Sequence, residues 1–337
     1  MLFAPSRPGQ FKFDFSRKPA QAAGWVVREE AIMGTAIRVE LWAEERRAGE
    51  QAAAAVMAEM HRIDQCMSPH KPLSELSRIN ATAARQAVPL SAEMAHLVDR
   101  ALHFSRLSDG AFDISYAAAG QLYDYRAGQA PDDQALARAQ QAVGWQHLQF
   151  DATARTLRFG LPGMRIDLGG FAKGHAVDNA CRILKRHGVQ HAMVAAGGDS
   201  RVMGQRPDGA RGEQRRPWTI AIRDPRRAGE VVAVLPLEDT SISTSGDYER
   251  FFDAGSTRHH HIVNPATGRS PQSVHSVTVL ADDGLTSEAL SKCVFVLGVA
   301  RGLALIHTLP GIDAVVVDAQ GRLHRSEGLL QAEDQAA

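Results

Sequence analysis

The sequence predicts an α+β protein built mainly on antiparallel sheets. Two observations carry this: strand-length apolar runs that face each other across short turns, and helix-period segments set between them. No repeat, clear linker or low-complexity tract divides the 337 residues, which suffice for one large or two ordinary domains. Residues 1–23, with four prolines or glycines and scattered charge among them, read as a loose arm, and 24–330 as a single domain.

The elements follow in order. Residues 25–31 and 36–42 form two strands around Met33-Gly34-Thr35; the second alternates Ile37, Val39, Leu41 with Arg38, Glu40. Residues 50–65 form a helix with Val56, Met60 and Ile63 on one face. Pro69 and Pro72 hold the next segment open as a loop. Ser91 caps a helix that runs to Leu107 and stops at Asp109-Gly110. Pro131-Asp132 opens another, to about Val143, and 148–150 with 156–159 read as a hairpin. Ala176, Val177, Ala180, Cys181 and Leu184 then repeat at helical spacing up to Gly188. Strands are expected at 189–195, 218–222, 231–235, 248–252 and 274–280, and an exposed loop at 207–217. Helices at 286–297 and 301–308, broken at Gly298, precede a closing hairpin of 314–317 and 322–325.

Composition narrows the function. With 44% apolar and 23% charged residues and zero formal net charge, nothing points to a nucleic-acid or membrane surface. No run of about 18 apolar residues reads as a membrane span. Cys66, Cys181 and Cys293 are far apart and odd in number, which argues against a disulfide framework or a zinc site. His259, His260 and His261 are adjacent, so on a strand they point to alternate faces and cannot all hold one ion.

The stretch richest in chemistry is Asp167-Leu168-Gly169-Gly170-Phe171-Ala172-Lys173-Gly174. Paired glycines bring backbone N–H groups close to a ligand, a helix N-terminus favours anions, and Lys173 adds a full positive charge. This is phosphate-binding chemistry without the Walker A spacing; the same pattern also serves as a plain tight turn into a helix.

Taken with Met33-Gly34-Thr35, Ser74-Glu75-Leu76-Ser77, Gly110-Ala111-Phe112-Asp113, Gly197-Gly198-Asp199, Ser245-Gly246-Asp247-Tyr248, His261–Pro265 and Ala289-Leu290, this stretch resembles the FAD:protein FMN transferases of the ApbE family. The motifs occur in family order from about residue 30 to 320. The resemblance implies two lobes around a cleft that binds FAD. It implies Mg²⁺-assisted cleavage of the pyrophosphate, release of AMP, and attachment of FMN to a Ser or Thr of an acceptor protein. By the same resemblance, Met33, Gly34 and Thr35 lie near the isoalloxazine ring, as does His70, where an aromatic is usual. Glu75, Asp113, Asp167, Gly169, Gly170 and Gly198 belong to the flavin site. Lys173, Ser245, Asp247 and His261 line its phosphate and acceptor side, with His261 as an acid/base or phosphate contact. The metal is implied to take the Ala172 carbonyl and an Asp and a Thr four residues apart on a late helix.

At those two positions this chain has Glu288 and Lys292. Glu288 keeps the charge on a longer stem; a protonated lysine has no acceptor atom and cannot ligate a metal. Lys292 either faces the cleft and supplies the ion's charge to the pyrophosphate, or forms an ordinary i,i+4 pair with Glu288. Asn264, where Asp is usual, removes a further negative charge. The rival functional expectation is therefore a homologue that holds FAD without cleaving it. With no apolar signal region or lipoprotein cysteine near the start, the chain is expected in the cytoplasm.

Overall fold

The computed structural model describes residues 23–208 and 212–329. The expected N-terminal arm, apart from Ala23, lies outside them. An eight-stranded sheet organises the fold, in the order Gly24–Ile32, Thr35–Ala43, Ala192–Ala196, Asp199–Met203, Ser241–Gly246, Val274–Ala281, Asp313–Asp318, Leu323–Arg325. Every neighbouring pair is antiparallel. The first hairpin turns on Met33 (φ 56°) and Gly34 (φ 71°), the two left-handed residues a two-residue turn requires. Ile37, Val39 and Leu41 are fully buried, and Arg38 between them is exposed.

Three helices, Arg46–Met67, Ala172–Arg186 and Gly284–His307, pack on the sheet and on one another. The first buries Val56, Met60 and Ile63. The last is broken at Gly298 (φ 77°, ψ 179°), where the sequence places the boundary. It is the one helix among the described residues long and apolar enough to cross a bilayer. Here it is a core helix, its Ser287, Glu288 and Ser291 buried against the sheet.

The Ser/Thr-rich segment Ser241–Gly246, which has no apolar strand signature, is a buried central strand. Two of its three inward hydroxyls are matched, Ser243 Oγ to Ser287 Oγ at 2.8 Å and Ser245 Oγ to Ser291 Oγ at 2.7 Å, while Ser241 Oγ is buried without a partner. Other expectations shift. The strand read at 248–252 is Phe251–Ala254, paired with Thr257–His260. Part of the expected 207–217 loop is paired, Arg206–Asp208 with Gln214–Arg216. A short helix, Glu75–Thr82, follows the proline loop, capped by Ser74 Oγ, which accepts from Ser77 N at 2.9 Å.

The two helices that carry the glycine-lysine and late motifs cross backbone to backbone. A Cβ on Gly174 would lie 2.0 Å from the Gly284 carbonyl oxygen, so only glycine fits. At the crossing each helix caps the other. Glu288 Oε2 accepts from Gly174 N at 2.7 Å, while Asp178 accepts from Gly284 N at 2.8 Å and Leu285 N at 3.0 Å. A carboxylate at a helix N-terminus satisfies orphan N–H groups and complements the helix dipole.

Candidate active site

A cleft opens beside this crossing. Its apolar wall includes Phe112, Ile262, Val263 and Val296; its polar lining includes Asp113, Tyr116, Asp167, His261 and Lys292, with Gly169 and Gly170 between. A Cβ on Gly170 would meet the Phe112 ring at 3.2 Å and the Lys292 stem at 3.9 Å, so the glycine turn, the aromatic wall and Lys292 converge.

Beneath the turn sits a compact ionic cluster. Lys173 Nζ donates to Asp199 Oδ2 and, at 2.8 Å, to Glu288 Oε1. Lys292 Nζ lies 3.7 Å from the same Glu288 oxygen. Both carboxylates are almost wholly buried, at 2% side-chain exposure for Asp199 and 0% for Glu288. Burial opposes the charge on Lys173, but Asp199 and Glu288 outweigh it and raise its pKa. Burial raises Glu288, aided by Asp199 and opposed by both lysines. Burial lowers Lys292, opposed by Glu288 and Asp199. His261 is held down to about 3 by burial first and then by the Lys292 charge, so its ring is neutral near pH 7. Its Nδ1 is buried without a hydrogen-bond partner, as is Asp199 Oδ1.

The remaining predicted residues divide. Asp167 lines the cleft, but its Oδ1 accepts from Gly169 N at 2.6 Å, so that amide is already engaged and the glycine turn offers one donor fewer. Burial raises its pKa, opposed first by the Gly169 N–H and then by the Tyr116 hydroxyl, with smaller contributions from His70 and Arg250. Gly34 approaches the Arg250 guanidinium and Thr35 Oγ1 approaches Gly197, which joins the Met33 turn to the second glycine pair. Gly198 lies tight against the Thr244 carbonyl, where a Cβ would meet it at 2.7 Å. Asp113 lines the cleft with a committed carboxylate, accepting from Ser115 N at 2.7 Å and Trp145 N at 2.8 Å. Ser245 reaches the cluster through Ser291. Ala172 begins the lysine helix, its N–H bonded to Leu168 O at 2.8 Å.

Two predicted residues are engaged elsewhere. Glu75 accepts from Ser91 N and Ser91 Oγ, both at 2.7 Å, and so ties the short helix to the next. Asp247 faces Arg226, at 2.8 Å to Nη1, and His275, at 3.2 Å. Asn264 holds a turn, its Oδ1 accepting from Ala266 N at 2.9 Å, a role for an oxygen with or without charge. Asp199, Ser291, Tyr116 and Arg250 are site residues that sequence reasoning passed over. Asp199 was within reach of it, as the residue after the second glycine pair.

The cluster fits an anionic ligand better than a metal. Among the described residues, no three His, Cys, Asp or Glu side chains gather as a metal site. Both oxygens of Glu288 and one of Asp199 are taken by N–H donors, and two ammonium groups stand where a cation would sit. The residues present therefore do not fit Mg²⁺, which is usually held by one or two free carboxylates together with waters and phosphate oxygens: both Glu288 oxygens are engaged, and the position one helical turn on is an ammonium.

The ApbE family model matches residues 33–316. The chain belongs to the ApbE family. Similar curated relatives include the FAD:protein FMN transferase of Treponema pallidum, 31% identical over 315 residues, covering 90% of this chain and 87% of that one. That of Haemophilus influenzae is 32% identical over 264 residues, 75% of each. Among solved structures, the ApbE protein of Thermotoga maritima superimposes with a TM-score of 0.83 at 30% identity, covering 91% of this chain and 99% of that one. The flavin transferase ApbE of Vibrio cholerae gives 0.79 at 26%, covering 92% and 99%. The family assignment and the antiparallel α+β architecture read from the sequence are thus both borne out.

Proposed function

We propose that this chain is an FAD:protein FMN transferase, with FAD as substrate and a Ser or Thr hydroxyl of a protein as acceptor. The observation that carries the reading, beside family membership, is the convergence of an apolar wall, a glycine turn and a cationic floor in one cleft. An isoalloxazine ring needs the first, and a pyrophosphate needs the last two.

The reaction forms one bond and breaks one. The acceptor oxygen attacks the phosphorus on the FMN side. The bridging P–O bond breaks, and its electron pair leaves on AMP. The hydroxyl proton passes to His261 through its unpartnered Nδ1; burial and the Lys292 charge make this ring a weak base in the empty cleft, and the negative charge of a bound pyrophosphate acts in the opposite direction and raises its basicity. Lys173 holds the two buried carboxylates and anchors the floor. Asp167, Tyr116 and the Met33 turn bound the flavin end.

A second reading, an FAD-binding homologue that does not cleave, is favoured by the full engagement of Glu288. Incubation with FAD and a Ser- or Thr-bearing acceptor peptide separates the two. AMP release together with covalent FMN on the peptide supports the transferase; bound FAD with no AMP supports the second reading.

A further inference from the structure

We propose that Lys292 supplies, from the protein itself, the positive charge that the family resemblance assigns to Mg²⁺, so that this chain cleaves FAD without a divalent cation. The inference rests on the transferase reading above and departs from its expected metal use.

Three observations carry it. Charge is the first: Asp199 and Glu288 are matched by Lys173 and Lys292, two negative charges against two positive, within one ionic cluster. A divalent ion added there meets two ammonium groups and no surplus of carboxylate. Donor availability is the second. Glu288 accepts from Gly174 N at 2.7 Å and Lys173 Nζ at 2.8 Å, and Asp199 Oδ2 accepts from Lys173, which leaves only Asp199 Oδ1 unbonded. Freeing Glu288 for a metal would uncap the lysine helix at its crossing. Placement is the third. The Lys292 stem runs beside Gly170 and its side chain lines the cleft with His261, so the charge faces the site rather than the surface. The alternative of an ordinary surface pair with Glu288 does not hold, because Glu288 is fully buried.

In the step itself, the ammonium stabilises the charge that builds on the bridging oxygen as its bond to the FMN phosphorus breaks. The electron pair stays with AMP, and the acceptor proton goes to His261. A side chain fixed in this way does metal-like electrostatic work without ligand exchange.

The test titrates Mn²⁺ into chelator-stripped protein, with and without FAD, and follows free Mn²⁺ by electron paramagnetic resonance. The expected result is no saturable binding by the wild type and its appearance in the Glu288→Asp, Lys292→Thr double variant. Stoichiometric Mn²⁺ binding by the wild type, abolished in Glu288→Gln, would overturn the proposal. AMP release in excess chelator should equal that with Mg²⁺; a loss of about tenfold or more on chelation would also overturn it. If the double variant does not fold, Lys292→Ala, which leaves Lys173 on both carboxylates, should lower chelator-resistant AMP release roughly 100-fold. An unchanged rate counts against Lys292. Absence of AMP under every condition would defeat the transferase reading instead. The cleavage role of Lys292 falls with it, and Mn²⁺ binding by the wild type would overturn the exclusion of a divalent cation as well.

Discussion

The lysine helix carries an ionic network on each side. Lys173 and His175, two residues apart, point in directions about 200° apart. On the cleft side, Lys173 joins Asp199, Glu288 and Lys292. On the far side, His175 meets Glu93 Oε1 at 2.8 Å, Arg62 donates to Glu93 and Glu59, and Asn179 donates to Glu59 at 2.7 Å. Every oxygen of Glu59 and Glu93 on the far side has a donor, and His175 foremost, with Arg62, holds Glu93 well below the usual carboxylate range. The cleft side retains unpartnered atoms at Asp199 and His261 and carries a lysine that burial pushes down. A fully satisfied network fixes packing; one left incomplete beside a cleft is poised for a ligand.

The comparison can be broken most sharply at Lys173. Lys173→Met leaves Asp199 and Glu288 buried with their direct ammonium partner gone, so unfolding stability should fall by about 3–5 kcal/mol, measured by urea denaturation. A loss well under this would mean that Lys292 can hold both carboxylates alone.

Gly174→Ala comes next, since the new methyl meets backbone rather than a movable side chain. It should cost about 3 kcal/mol and disturb the cleft side more than the far side. The readout is a denaturation midpoint paired with FAD affinity by flavin fluorescence. A stable variant with wild-type affinity would show that the close crossing is not needed.

Glu93→Gln acts on the far side alone. It should cost roughly 1–3 kcal/mol in stability, while AMP release per folded molecule stays at the wild-type rate. A parallel loss of rate would erase the distinction between the two networks.

A pH dependence sharpens the cleft side of the comparison. His261 has an ordinary value of 6.5 and a native value of about 3. As pH falls below 6.5, the unfolded chain takes a proton at this ring that the native chain does not, so stability declines until about pH 3. Burial also lowers His260, with the same sign. Denaturation at pH 7 and pH 4 should show a smaller acid loss for His261→Gln than for the wild type; equal losses would place the titration elsewhere.

Much of this architecture was legible in the sequence, and the gaps have physical causes. The hairpin at Met33-Gly34 and the helix from Ser91 to Leu107 could be read because turn chemistry, capping and periodicity agree. The central strand Ser241–Gly246 could not, because the partners of its Ser243 and Ser245 hydroxyls, Ser287 and Ser291, lie more than forty residues away. The site was visible as motifs but not as geometry. Nothing local to Glu75 or Asp113 reveals that their carboxylates hold backbone at Ser91 and Trp145. Lys292 stood out as a departure. Only the crossing of two helices shows that Glu288 is buried beneath it.

Lys292→Met tests the account most directly, with AMP release from FAD and the urea midpoint measured on the same preparation. The account predicts a rate lowered about 10²–10³-fold with the midpoint held near that of the wild type, because Lys173 still holds both carboxylates. A wild-type rate in the folded variant would contradict it, and would return Lys292 to the role of a structural partner of Glu288.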